Sequence, residues 1–209
     1  MRTISVKQAY LKKFKTFEFD GIWKEVFYQN PETTGAWLVY GTEKQGKSTF
    51  AIMLADYLTK FGKVLYISAE EGVSLHFVNL MAKIGVDGDN PKIKLAEFTP
   101  FEDIEERLAK RQCPKIVVID NITVYKDEIN KKRALDFYRK NEDKLIIFIS
   151  HEERGQPDTA EGRLWKKLSK TIIQIVGQKA IFKGRGVGGE LMIDDEKAML
   201  YHGTKIKNQ

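Results

Sequence analysis

Through the middle of the chain, short runs of β-branched and aromatic residues alternate with longer segments whose apolar positions recur every three or four residues. The runs Ala36 to Tyr40, Val64 to Ser68, Ile93 to Ala96, Ile116 to Asp120 and Leu145 to Ser150 are nearly continuous in apolar character, as strands buried on both faces are. Between them, Ser48 to Lys60 places Phe50, Met53, Leu54, Tyr57 and Leu58 at helical spacing, and Gly62 follows as a stop. Similar patterns fill Ser74 to Ile84, Phe101 to Arg111 and Lys131 to Asn141. This alternation predicts an α/β fold in which a mainly parallel sheet is flanked by helices.

After Ser150 the pattern changes. Glu152 to Gly162 is polar, contains Gly155, Pro157 and Gly162, and reads as an exposed loop. A short basic helix is expected near Leu164 to Lys170. The segments Thr171 to Val176, Lys179 to Phe182, Glu190 to Ile193 and Ala198 to Tyr201 read as short strands, a C-terminal antiparallel β extension. Residues 1–30 are expected to be an N-terminal appendage to a core over 31–209, with Ser5 to Phe19 an amphipathic helix closing that core or, alternatively, a docking arm for a neighbour.

Composition narrows the class. With 209 residues, 42% hydrophobic and 11% aromatic, the chain has apolar surface enough for one sizeable core and is unlike a disordered segment. One cysteine, Cys113, makes no internal disulfide, and with His76, His151 and His202 it builds no zinc cluster. The expectation is a cytoplasmic, reducing setting. No apolar run approaches the roughly 18 residues that span a bilayer, and lysines interrupt the N-terminus where an export signal would need an apolar core. The net charge of +6 is uneven: from Glu161 onward ten Lys and Arg face five carboxylates, which is either a solvated face or an attraction for phosphate backbones.

The strongest chemical signal is Gly41-Thr42-Glu43-Lys44-Gln45-Gly46-Lys47-Ser48, a G-x-x-x-x-G-K-[ST] phosphate loop lying between a predicted strand and a predicted helix. Such a loop turns backbone N–H groups around phosphate oxygens, and the helix adds its positive N-terminal end to the same site. The loop and Thr49 behind it are therefore expected to hold ATP, with Lys47 on the β- and γ-phosphates and the Ser48 hydroxyl on Mg²⁺. Ile116-Val117-Val118-Ile119-Asp120 has the shape of a Walker B strand, and its carboxylate would face the ligand crevice at the strand's C-terminal edge, near Ser48. A turn or cap is the alternative for Asp120. Glu70 and Glu71 follow the second strand, where a carboxylate outside the metal shell can orient or deprotonate attacking water, or where acids simply favour a helix N-terminus.

The phosphate loop, the Ser68-Ala69-Glu70-Glu71 turn, Val118-Ile119-Asp120 and Ile149-Ser150-His151 occur in an order that resembles RecA-like P-loop ATPases, the superfamily of RadA, KaiC and the replicative helicases. The compact length is similar to single-domain forms in phages and mobile elements. The resemblance implies a RecA-like NTPase core, Mg²⁺-dependent ATP hydrolysis, a homo-oligomeric ring or filament, and action on single-stranded DNA in recombination, repair or replication. It makes Glu70 the catalytic carboxylate with Glu71 the fallback, and gives Asp120 the metal role. His151 takes the position that senses the γ-phosphate and couples it to a DNA-binding loop, with a hydrogen-bonded structural histidine as the alternative. Lys183-Gly184-Arg185-Gly186 is similar to the pair of cations that assembled members insert into a neighbour's ATP site. Here, however, Gly186-Val187-Gly188-Gly189 lacks the usual aromatic, and a basic hairpin turn is the other reading. Asn121 is a further departure, where RecA and RadA have serine after the aspartate.

By the same analogy Glu152 to Gly162 is the mobile DNA loop, Arg154, Arg163, Lys166 and Lys167 are phosphate contacts, and Trp165 is either a stacking platform or core. Two other functions fit a phosphate loop: a small-molecule or nucleotide kinase using Glu152 to Arg163 as a lid, and a KaiC-like regulatory ATPase whose output is a protein contact.

Overall fold

Unbroken apolar strands need cover on both sides, and the computed structural model, which describes residues 3–184 and 188–206, supplies it. In chain order the elements are α1 (Val6–Tyr10), α2 (Gly21–Val26), β1 (Gly35–Gly41), α3 (Lys47–Leu58), β2 (Val64–Ser68), α4 (Leu75–Ile84), β3 (Ile93–Ala96), α5 (Phe101–Ala109) and β4 (Ile116–Asp120). After a 3₁₀ turn (Ile122–Tyr125) come α6 (Lys131–Lys140), β5 (Leu145–Glu153), β6 (Gln156–Pro157), α7 (Ala160–Leu168), β7 (Thr171–Val176), β8 (Lys179–Gly184), β9 (Glu190–Met192) and α8 (Asp195–Ile206). The sheet runs β3-β2-β4-β5-β1-β7-β8-β9, parallel from β3 through β7 and antiparallel from β7 to β9.

Alternate residues of each central strand enter opposite layers, as the two-residue side-chain period requires. Trp37 and Val39 of β1 and Val118 of β4 pack with Phe50 and Leu54 of α3. Leu38, Val117 and Phe148 pack on the other face with Phe101, Phe137 and Trp165. Each of these side chains is essentially inaccessible, so cutting Phe148 or Trp165 to Ala would cost about 3–5 kcal/mol in lost transfer energy and cavity.

Three elements differ from the sequence expectation. The amphipathic helix expected over Ser5 to Phe19 is the five-residue α1, which buries nothing. Extended chain follows it: Thr16 bridges Glu32, and Phe17 and Phe19 enter the first layer beside Trp23 and Tyr57, where the Tyr57 hydroxyl donates to Asp20 Oδ1 at 2.8 Å. The loop expected over Glu152 to Gly162 is a β-hairpin. Glu153 pairs with Gln156 across the two-residue turn Arg154-Gly155, both at positive φ (52° and 78°), and α7 then starts behind the Thr159 cap. Ala198 to Tyr201 is helix rather than strand, because the Asp194 side chain accepts the Lys197 N–H at 3.2 Å and the acids Asp195 and Glu196 favour a helix start.

Candidate nucleotide site

The C-terminal ends of β1, β2, β4 and β5 open into one cleft of about 1220 Å³. Its floor is the loop from Gly41 to Ser48. Glycine is required twice there: a Cβ on Gly41 would meet the Ile175 carbonyl oxygen at 2.4 Å, and Gly46 stands at φ 98° with Gln178 Oε1 2.6 Å from its would-be Cβ. Gly46 ends the loop and its carbonyl takes the first helical bond of α3, from Phe50 N–H at 2.9 Å, so the helix N-terminus points into the cleft. The loop is buttressed from outside by the β7–β8 turn. Gly177 N–H donates to Gln45 Oε1 at 2.6 Å and Gln178 N–H to the Gln45 carbonyl at 3.2 Å.

Lys47 is 8% exposed and its Nζ donates to the Thr42 carbonyl at 2.8 Å. Burial pushes its pKa down, against the pull of Asp120 and Glu70. Asp120, at the end of β4, is also buried. The Tyr66 hydroxyl donates to its Oδ2 at 2.6 Å and the Ser48 hydroxyl lies beside the carboxylate, yet burial still pushes the Asp120 pKa up. Two oxygen donors of this kind, next to a phosphate-binding loop, suit Mg²⁺, which takes few protein ligands and completes its shell with phosphate and water. A cluster of three or more metal-binding side chains is absent among the described residues.

Across from Lys47 stands Glu70. His151 Nε2 lies 3.1 Å from both of its carboxylate oxygens, and Asn121 Nδ2 donates to Oε2 at 3.1 Å. The His151 bond holds the Glu70 carboxyl below its ordinary pKa, and Glu70 raises that of His151 in return. Glu71 turns the other way, accepting from the Ser74 hydroxyl at 2.6 Å and facing His76 Nδ1 at 2.8 Å at the start of α4. Of the two acids, the geometry sets Glu70 against Lys47, Asn121 and His151.

The cleft thus gathers Glu43, Lys44, Gly46, Lys47, Ser48 and Thr49 with Glu70, Glu71, Asp120 and His151. Lys183 is not on its wall. Its Nζ donates to Gln174 Oε1 at 2.8 Å, and Gln174 Nε2 donates onward to Glu152 Oε2 at 3.1 Å. Arg185 lies outside the described residues. Trp165 is core, stacked on Phe148 with ring centroids 3.9 Å apart. Arg163 donates to the Pro157 and Asp158 carbonyls, and Lys166 to the Tyr40 hydroxyl and Gln156 Oε1, so both stabilise the hairpin and its surroundings; Arg154 and Lys167 are exposed.

Sequence reasoning missed Tyr66, Asn121 and Gln178. Tyr66 sits in an apolar strand and reads as core, while Gln178 reaches the loop from a turn whose Gly177 is 132 residues beyond its partner Gln45. Asn121 carried a signal, its departure from serine.

No family model matches the chain. It is 27% identical over 180 residues to the DNA repair and recombination protein RadB of Methanocaldococcus jannaschii, across 73% of this chain and 82% of that protein. Among solved structures, a KaiC-like protein from Pyrococcus horikoshii superposes with a TM-score of 0.64 at 14% identity, covering 85% of this chain and 94% of the other. The flagellar accessory protein FlaH from Methanocaldococcus jannaschii gives 0.62 at 14% identity, with coverages of 86% and 92%. With the phosphate-loop motif in place between β1 and α3, these likenesses support a RecA-like P-loop fold for the chain.

Proposed function

We propose that the chain is a Mg²⁺-dependent, ATP-hydrolysing RecA-like protein that acts on single-stranded DNA in recombination, repair or replication, as a cytoplasmic homo-oligomer. One observation carries the hydrolytic part: Lys47, Ser48, Asp120 and a Glu70 held by His151 converge on a single cleft. The likeness to a DNA repair and recombination protein over most of the chain supports the DNA part.

In this reading the loop amides and the α3 N-terminus take the phosphates, and Lys47 leaves the Thr42 carbonyl for the β- and γ-phosphate oxygens. Ser48 and Asp120 would hold Mg²⁺, which neutralises phosphate charge when bound. Glu70 takes the proton of a water that attacks the γ-phosphorus as the bond to the β–γ bridging oxygen breaks and ADP leaves. To do so it must give up part of its contact with His151 or Asn121. Lys183 and Arg185 serve the site of a neighbouring subunit, which requires Lys183 to leave Gln174 on assembly.

A KaiC-like output through protein contacts is the second reading. It is favoured by the self-engagement of Arg163 and Lys166 and the burial of Trp165, which leave fewer groups for DNA than expected. Phosphate release from Mg-ATP, measured with and without a single-stranded oligonucleotide at rising salt, separates the readings. Slow hydrolysis that rises with DNA is expected. Absence of both stimulation and salt-sensitive DNA binding would leave the protein-contact reading, and transfer of the γ-phosphate to a metabolite would make the protein a kinase. Mixing Lys183→Ala subunits with Lys47→Ala subunits should restore activity if the cation acts between subunits; no recovery removes that assignment.

A further inference from the structure

Asn121 is 1% exposed, and both ends of its amide are committed. Oδ1 accepts the Thr123 N–H at 3.0 Å, which fixes which end is oxygen, and Nδ2 is thereby aimed at Glu70 Oε2 at 3.1 Å. A serine at this position could still accept from Thr123 N–H, but its side chain is too short to reach Glu70 as well.

The 3₁₀ turn that Asn121 caps is bonded in turn to the β5–β6 hairpin. Thr123 Oγ1 donates to Asp158 Oδ1 at 3.2 Å, the Ser150 hydroxyl reaches the same oxygen at 3.4 Å, and Asp158 N–H donates to the His151 carbonyl at 3.1 Å. Asp158 directly follows β6. The hairpin therefore meets Glu70 along two routes. One leg carries His151, which touches the carboxylate; the other ends at Asp158, which holds the turn that aims Asn121.

We propose that Asn121 is a positioning residue for Glu70, and that the Thr123–Asp158 bond ties this position to the β5–β6 hairpin, so that an effector moving the hairpin acts on Glu70 from two sides. The proposal rests on the hydrolytic reading of Glu70. Asn121 does not touch the reacting atoms in it; its effect is on where the carboxylate points, and a carboxylate displaced by even 1 Å can forfeit a large factor in rate. Contiguity of bonds is a physical connection and becomes coupling only if the residues act non-additively.

The test is a double-mutant cycle on the full chain, with kcat and KM for Mg-ATP, nucleotide affinity and melting temperature measured for each variant. Asn121→Ser is expected to lower kcat about tenfold or more with KM within about twofold of wild type. Asn121→Asp keeps the acceptor for Thr123 N–H and nearly the same volume but turns an acceptor toward Glu70, so it should lower kcat at least as far even where Asn121→Ser folds poorly. Asp158→Ala should lower kcat roughly threefold alone and by less than about 1.5-fold in the Asn121→Ser background. Unchanged kcat in folded Asn121→Ser and Asn121→Asp overturns the positioning role, and fully additive effects of Asp158→Ala overturn the link to the hairpin. A wild-type chain that binds ATP without hydrolysing it overturns the hydrolytic reading and this assignment together, whereas hydrolysis indifferent to Asn121 overturns this assignment alone.

Discussion

The two halves of the cleft are held in opposite electrostatic states. In the half formed by the phosphate loop and β4, burial works against the charges: it pushes Lys47 toward its neutral form and Asp120 toward its own. In the half formed by Glu70 and His151, contact works for them, lowering the acid and raising the base so that each favours the charge of the other. The first pair is fixed by backbone, with Lys47 on a helix start and Asp120 on a buried strand end. The second is held by side chains, and Glu70 is half exposed. In the proposed reading, a nucleotide with its cation would add counter-charges to the first pair, and turnover would undo part of the second. The site therefore combines a backbone-fixed pair whose charges burial opposes with a side-chain pair whose charges contact favours.

The largest effect is expected where the unsatisfied half loses its cation. Lys47→Ala should reduce hydrolysis by about 1000-fold or more and weaken ATP binding, since the β- and γ-phosphates lose their buried charge partner. Circular dichroism should remain that of wild type, because the side chain loses one part-buried bond, to the Thr42 carbonyl, and the helix start is made by backbone. Nucleotide binding equal to wild type would show that the cleft is not the phosphate site.

Glu70→Gln probes the satisfied half. The amide can still bond Asn121 or His151, but it cannot take a proton. Turnover should fall about 100-fold, the usual scale of a lost general base, with ATP affinity kept within about threefold. A loss of affinity equal to the loss of turnover would mean that Glu70 holds substrate rather than activating water, and the contrast between the halves would disappear.

The contrast also explains how far the site could be read from the sequence. The rigid half was legible because its requirements are local: a strand, two obligatory glycines, a lysine and a hydroxyl in consecutive positions, then an apolar strand closed by Asp120. The central sheet was legible for the same reason, since burial on both faces leaves continuous apolar runs. The satisfied half is assembled from Glu70, Asn121 and His151, far apart in sequence; Glu70 was suggested by its place after the second strand, and His151 only by its likeness to a known motif order. Local reasoning left Trp165 open between a stacking platform and core, and the fold stacks it on Phe148. At Ala198 to Tyr201 a short apolar run could not by itself distinguish strand from helix, and the Asp194 cap decided it.

Asp120→Asn tests the strain directly. A carboxyl whose folded pKa is raised contributes stability that is complete below its unfolded pKa and is lost as pH rises through the folded value, so at neutral pH the Asp120 carboxyl favours the fold less than it does in acid. The neutral amide should therefore raise nucleotide-free stability by about 1 kcal/mol in urea unfolding at pH 7, while Mg²⁺-dependent ATP binding is lost. A destabilised variant would mean that Tyr66 and Ser48 already compensate the buried charge, and the rigid half would not be strained.

The smallest effect, and the sharpest on the second half, is a pH dependence. Because the folded pKa of His151 is raised, its contribution is complete below the ordinary histidine value of about 6.5 and is lost as pH climbs through the raised one. Because the folded pKa of Glu70 is lowered, its contribution is present above the ordinary carboxylate value of about 4.3 and is lost as pH falls through the lowered one. The pair is therefore worth most between the two ordinary values and fades as pH rises through the raised pKa of His151. With Glu70 half exposed, solvent screening keeps the term under about 1 kcal/mol. Urea unfolding of wild type and His151→Gln across pH 5 to 9 should thus show a gap that narrows on the alkaline side. A gap that widens there would mean that His151 stands neutral against Glu70, as its buried Nδ1, which has no hydrogen-bond partner among the described residues, would favour. The idle state would then be held by a neutral hydrogen bond, and its release would not depend on a proton.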